Sequence, residues 1–150
     1  MAVIRVAGAG DLVALTELRV AWTSERHGVG PDATFAGRFA AWFAAEANQR
    51  TFWLALDGDR AIGMTNLLTF LRMPGPGIDA GRWGYLGNMF VLPECRNASV
   101  GHLLLAAVIA EAEAQHLERL VLSPSERSVP FYRSAGFGEA HQLLVRPRST

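Results

Sequence analysis

Short apolar runs of strand length alternate along this chain with stretches in which apolar residues recur every three or four positions. Val3 to Val6 reads as an opening strand. Asp11 then offers a helix cap, and Leu12, Leu15, Leu18 and Trp22 repeat at helical spacing to about Thr23. His27-Gly-Val-Gly-Pro31 breaks that helix, and Thr34 opens a second one with Phe35, Phe39, Trp42 and Phe43 as its apolar stripe. Thr51–Leu56 and Ala61–Leu71 are predicted strands, joined by the hairpin signal Asp57-Gly-Asp59. Met73-Pro-Gly-Pro-Gly77 defeats both helix and ladder, so it is a loop. Trp83–Leu92 is the next strand, and Val100 to about Gln115 a long helix. Arg119–Leu122 is a buried strand, Val129–Ala135 a short helix stopped by Gly136, and roughly Ala140–Val145 a last strand.

The order β, α, α, β, β, β, α, β, α, β sets an antiparallel meander before a βαβ crossover. That is an α+β fold with a mixed sheet. At 150 residues the chain fits one domain, 1–150, without repeat or linker. Half the residues are hydrophobic and 19% charged, which excludes disorder. Fourteen basic residues cancel fourteen acidic ones, so neither a nucleic-acid backbone nor an anionic membrane is expected as partner. One cysteine and four scattered histidines give no metal-ligand spacing. With no signal-peptide layout and no apolar run of about 18 residues, the expected location is cytoplasmic.

Candidate chemistry is concentrated in two places. In Phe90-Val-Leu-Pro-Glu-Cys-Arg-Asn-Ala-Ser-Val-Gly-His102 a strand ends at a proline, an arginine opens a small-residue turn, and a helix follows at once. This layout directs unpaired N–H groups and a helix N-terminus at one point, a seat for phosphate. About thirty residues later, Pro130-Phe-Tyr-Arg-Ser-Ala-Gly-Phe137 sets a phenol, Tyr132, on a short helix.

In element order and in these motifs the chain resembles the GCN5-related N-acetyltransferase (GNAT) family, over essentially its whole length. The family's pyrophosphate loop, Arg/Gln-x-x-Gly-x-Gly/Ala, is matched by Arg96-Asn-Ala-Ser-Val-Gly101, with Ser99 in place of the first glycine. Its second motif, Asn-x-x-Ala-x-x-Phe-Tyr-x-x-x-Gly-Phe, is matched at Phe131, Tyr132, Gly136 and Phe137, with Ser125 and Ser128 for Asn and Ala. The resemblance implies an acyl-CoA N-acyltransferase fold: a twisted, mostly antiparallel sheet with helices on both faces. It also implies acetyl-CoA as co-substrate, no metal, and direct acetyl transfer to a primary amine in a ternary complex.

By the same resemblance, acetyl-CoA contacts Met89, Phe90 and Val91 as an added strand. Its pyrophosphate lies on Arg96, Asn97, Ala98, Ser99, Val100, Gly101 and His102, and Ser125 and Tyr132 reach the pantetheine arm. Tyr132 is the candidate acid for the departing thiolate. Asn88, where many members carry a glutamate, would orient a water or the substrate. Trp22, Glu25, His27 and Asp79 are candidates for the acceptor side, with Glu25, His27, Asp32 and Asp79 the carboxylate or imidazole groups that could serve as base. Trp22, Phe35, Phe39, Trp42 and Phe43 are either core or, some of them, the wall of an apolar acceptor pocket. The acceptor would be a small molecule or a peptide amine, and a homodimer accords with the family's habit. The rival reading is a catalytically degenerate acyl-CoA-binding regulatory domain, suggested by Ser99, Ser125 and the missing strand carboxylate.

Overall fold

The computed structural model describes residues 1–28 and 30–149; within the breaker 27–31, position 29 lies outside the described residues. Five strands run β1 (Val3–Ala7), β2 (Arg50–Asp57), β3 (Arg60–Leu71), β4 (Arg82–Val91) and β5 (Arg119–Val121). Four α-helices accompany them: α1 (Leu12–His27), α2 (Phe35–Glu46), α3 (Val100–Ala114) and α4 (Val129–Ser134). The sheet order is β1-β2-β3-β4-β5, antiparallel except for the parallel β4–β5 pair. This is the mixed α+β sheet of the acyl-CoA N-acyltransferase fold.

The central strands carry no polar face because helices cover both sides. In β2, Phe52 and Leu54 join a core with Leu15 and Leu18 of α1 and Phe43 of α2. The alternate residues Trp53 and Ala55 join a second core with Leu104, Leu105 and Val108 of α3. Period-two alternation therefore produces a continuous apolar run in the sequence. The hairpin turn falls where the Asp-Gly-Asp signal predicts it, with Asp57 opposite Arg60 and Gly58 at φ 59°. Asp11 precedes α1 but makes no side-chain cap bond to it. Its carboxylate accepts from the Arg5 guanidinium and the Gly8 N–H, which together hold its pKa at about 2.

The strand expected over 140–145 does not form. Residues 138–149 hold one turn, closed by the Leu143 N–H on the Ala140 carbonyl, and Leu144 and Val145 are exposed. The reason is the length of β5, which offers a three-residue edge against which a further strand would gain few ladder bonds.

Two local breaks in the ladders shape what lies beside them. Thr65 of β3 faces both Asn88 and Met89, since Met64 pairs Phe90 and Asn66 pairs Gly87. Asn88 is accordingly a bulge residue at φ 55°. The parallel pairing of β4 with β5 covers only Trp83, Gly84 and Tyr85. Beyond it the two strands part, and β4 from Leu86 onward has no strand on that side.

Candidate functional site

A cleft of about 890 Å³ opens where β4 leaves β5. One wall is the free edge of β4, Leu86 to Val91; the other is Leu122, Ser123, Pro124 and Ser125 after β5. Its end is closed by the N-terminus of α3 and by Phe131 and Tyr132 of α4. The first intrahelical bond of α3 is Leu103 N–H to the Ser99 carbonyl, so the N–H groups of Val100, Gly101 and His102 have no intrahelical acceptor. Ser99 makes no side-chain cap bond and has φ 66°, and Asn97 has the same φ. Asparagine tolerates this left-handed backbone; serine does so at a cost of roughly 1–2 kcal/mol. Arg26, Arg96 and Arg127 also line the cleft, a cationic setting for phosphate oxygens. The residues present thus fit a phosphate-bearing, strand-like ligand.

Of the sequence-predicted cofactor residues, all but Ala98 are on the cleft wall. Arg96, however, is already engaged. Both terminal nitrogens donate to the Glu25 carboxylate at 2.8 Å, and its Nε donates to the Val91 carbonyl at 3.0 Å. The hydrogen bond from Arg96 holds Glu25 below the usual carboxylate range, which favours its ionised form and weakens it as a proton acceptor. Ser125 donates to Ser128 Oγ at 3.0 Å, which turns the chain into α4.

Tyr132 is 8% exposed, yet borders the cleft. Phe131 and Phe137 pack edge-on to its ring at 5.0 and 5.8 Å, and no residue among those described hydrogen-bonds its hydroxyl. Burial pushes the phenol above its ordinary pKa of 10.0, so it remains a proton donor across the physiological range.

A second cavity of about 330 Å³ lies between α1, α2 and the sheet, lined by Leu15, Phe35, Phe39, Trp42, Phe52 and Met64 with Arg19, Arg38, Thr65, Asn66 and Asn88. The aromatic stripe of α2 is therefore divided: Phe43 is core, while Phe35, Phe39 and Trp42 are wall. Asn88 borders both spaces, so the bulge is where they meet. Trp22 faces the larger cleft and stacks on Phe90 at 5.7 Å. His27 and Asp79 are exposed and are on the wall of neither space.

A polar relay that sequence reasoning missed holds Asn88. Arg50 donates to Glu46 at 2.6 Å and to Asn66 Oδ1 at 2.8 Å, and Asn66 Nδ2 donates to Asn88 Oδ1 at 2.7 Å. Arginine can only donate, so Asn66 must turn its oxygen to Arg50 and its amide nitrogen to Asn88. Among the described residues none accepts from the NH2 of Asn88. Thr65, beside it, donates to the Gly87 carbonyl at 3.0 Å. The signal for this relay was the polar pair Thr65-Asn66 inside an otherwise apolar strand; both are at most 2% exposed.

Among the described residues no cluster of His, Cys, Asp or Glu is arranged to hold a metal, and no helix is long and apolar enough to cross a membrane. The Acetyltransferase (GNAT) family profile matches residues 12–137. No curated protein sequence matches. Among solved structures, the predicted acetyltransferase of Clostridium acetobutylicum, determined with acetyl-CoA, is 21% identical with a TM-score of 0.79, over 98% of this chain and 96% of that one. Glucosamine-6-phosphate N-acetyltransferase of Arabidopsis thaliana is 13% identical with a TM-score of 0.77, over 99% of each chain. AAC(6')-Iy, in complex with the bisubstrate analog CoA-S-monomethyl-acetylneamine, is 20% identical with a TM-score of 0.74, over 100% and 99%.

Proposed function

Because the chain belongs to the GNAT family of acetyltransferases, we propose that it moves an acetyl group from acetyl-CoA to a primary amine by direct transfer, within one domain spanning the chain. The observation that carries this reading is the junction at Asn88, where a strand-edge cleft ending on a free helix N-terminus meets a separate apolar cavity. Two substrates can occupy such a pair of spaces at once, as a ternary complex requires.

Acetyl-CoA supplies an activated thioester that a neutral amine converts to an amide and a free thiol. The rest falls to the chain. The free edge of β4 offers backbone groups to the pantetheine arm as an added strand would. The α3 N-terminus and the arginines receive the phosphates. At the bulge, backbone N–H groups released from the ladder near Met89 polarise the thioester oxygen. Tyr132 gives its proton to the departing sulfur. Asn88 positions the acceptor or a water through its free NH2.

No carboxylate lines the acceptor cavity among the described residues. The amine is therefore used in its neutral form, with its proton leaving to solvent. The non-catalytic alternative draws on that same lack of a base and on the strained Ser99. Calorimetric titration with acetyl-CoA, with dephospho-CoA and ATP as controls, followed by thiol detection across a panel of amines, separates the two. Binding with amine-dependent thiol release supports transfer. Binding without it for any amine supports the regulatory domain, and no binding at millimolar acetyl-CoA refutes both.

A further inference from the structure

The smaller cavity has the composition of a selective site. Its body is apolar: Leu15, Phe35, Phe39, Trp42, Phe52 and Met64. Of its polar groups, Thr65 is bonded to the Gly87 carbonyl and Asn66 is bonded on both sides, to Arg50 and Asn88. A polyhydroxylated sugar would find few free partners there and would leave hydroxyls unpaired.

The charges are equally one-sided, since two guanidinium groups and no carboxylate are on the wall among the described residues. Arg38 is already satisfied by Asp32 at 2.6 Å and by Thr34. Arg19 is not. It is half-buried, stacks over the Trp22 ring at 4.4 Å, and has no carboxylate partner among the described residues. Burial and the nearby Arg26 both disfavour its charge, a strain that an incoming anion would relieve. An acceptor rich in ammonium groups would meet repulsion from both arginines. The volume of about 330 Å³ is at the small end of ligand cavities, ~300–1,000 Å³.

We propose that this cavity takes an amine with an aromatic or alkyl body and a carboxylate, the chemical class of an aromatic α-amino acid, with Arg19 pairing the carboxylate and the amine directed to Asn88. The inference rests on the acetyl-transfer reading and names its acceptor class. Arg19 is then a specificity-determining residue: its fork of donors matches a carboxylate, and Phe39 and Trp42 take the ring.

The test compares phenylalanine, phenethylamine, glucosamine 6-phosphate and spermidine as acceptors for wild type and Arg19→Glu. In parallel, binding of phenylalanine and N-acetylphenylalanine is followed by tryptophan fluorescence, which Trp42 on the wall makes responsive. The expected result is a kcat/KM for phenylalanine at least about tenfold above that for phenethylamine, with the order reversed in Arg19→Glu. Preference for phenethylamine, glucosamine 6-phosphate or spermidine in the wild type overturns the inference and leaves acetyl transfer standing. Failure of both phenylalanine and its acetyl product to bind at millimolar concentration overturns it whatever the turnover. Binding of phenylalanine with no thiol release from any acceptor upholds the ligand class and contradicts acetyl transfer.

Discussion

Tyr132 and Glu25 are the residues at which the chemistry of the site divides. Tyr132 is a buried phenol on the cleft wall with its pKa raised by desolvation. In the proposed reading its proton is retained until the leaving sulfur takes it. Tyr132→Phe should lower turnover by about 100-fold or more while acetyl-CoA affinity, measured by calorimetry, changes little. Turnover equal to wild type would remove Tyr132 from the proton path. Glu25 is the reverse case, a carboxylate spent on Arg96. The pair is more than a third exposed and contributes at most about 1 kcal/mol. Glu25→Gln releases Arg96 toward phosphate, so acetyl-CoA should bind up to about fivefold more tightly with turnover retained. A large loss of turnover with unchanged affinity would instead make Glu25 a base.

At the level of elements, the site is made by two interruptions of the sheet and one helix end. The bulge at Asn88 depends on the relay from Arg50 through Asn66. Asn66→Ala removes the partner of one half-buried Arg50 donor and of the exposed Asn88 amide oxygen, and should destabilise the fold by about 1–2 kcal/mol in chemical denaturation. Turnover should fall further than stability alone explains, because Asn88 loses its orientation. The α3 N-terminus is the second device. A Cβ at Gly101 would meet the Phe131 ring at 3.4 Å, an ordinary contact, so a side chain there is tolerated by the fold. Gly101→Glu puts an anion in the cleft and should weaken acetyl-CoA binding at least tenfold, about 1.4 kcal/mol, with the circular dichroism spectrum unchanged. Unchanged affinity would take this helix end out of the site.

These elements were unequally legible. The strand–turn–helix at residues 90–102 could be read because its signals are local: a proline, a small-residue turn and an apolar helical repeat. The short helix that carries Tyr132 was legible for the same reason. The Arg50–Asn66–Asn88 relay was not, since its members join across 16 and 22 positions of chain, and Arg19 meets the far wall of its cavity only through the fold. Residues 140–145 carry a strand-like pattern, but pattern does not reveal how long an edge β5 offers. The engagement of Arg96 by Glu25, 71 positions earlier, was equally invisible to spacing.

Over the whole molecule, helices on both faces bury the central strands, and the cleft and the cavity adjoin at the Asn88 bulge. In the proposed reading the acceptor occupies the cavity among α1, α2 and the sheet, and the thioester donor lies against the α3 and α4 ends. No carboxylate lines the smaller cavity among the described residues, which has a consequence for pH dependence in the proposed reading. The rising limb of kcat/KM should follow the acceptor's own pKa and move when a more acidic amine is substituted. With Tyr132 as the proposed acid, the falling limb should lie above the ordinary phenol range, because burial raises its pKa. A rising limb that stays fixed across acceptors would reveal an enzyme base.

Thiol release from saturating acetyl-CoA, followed over time with and without a panel of primary amines, tests acetyl transfer most directly. The predicted result is release that requires an amine, saturates with it, yields one acetylated amine per thiol by mass spectrometry, and nearly disappears in Tyr132→Phe. Tight acetyl-CoA binding with no amine-dependent release from the wild type would contradict the account.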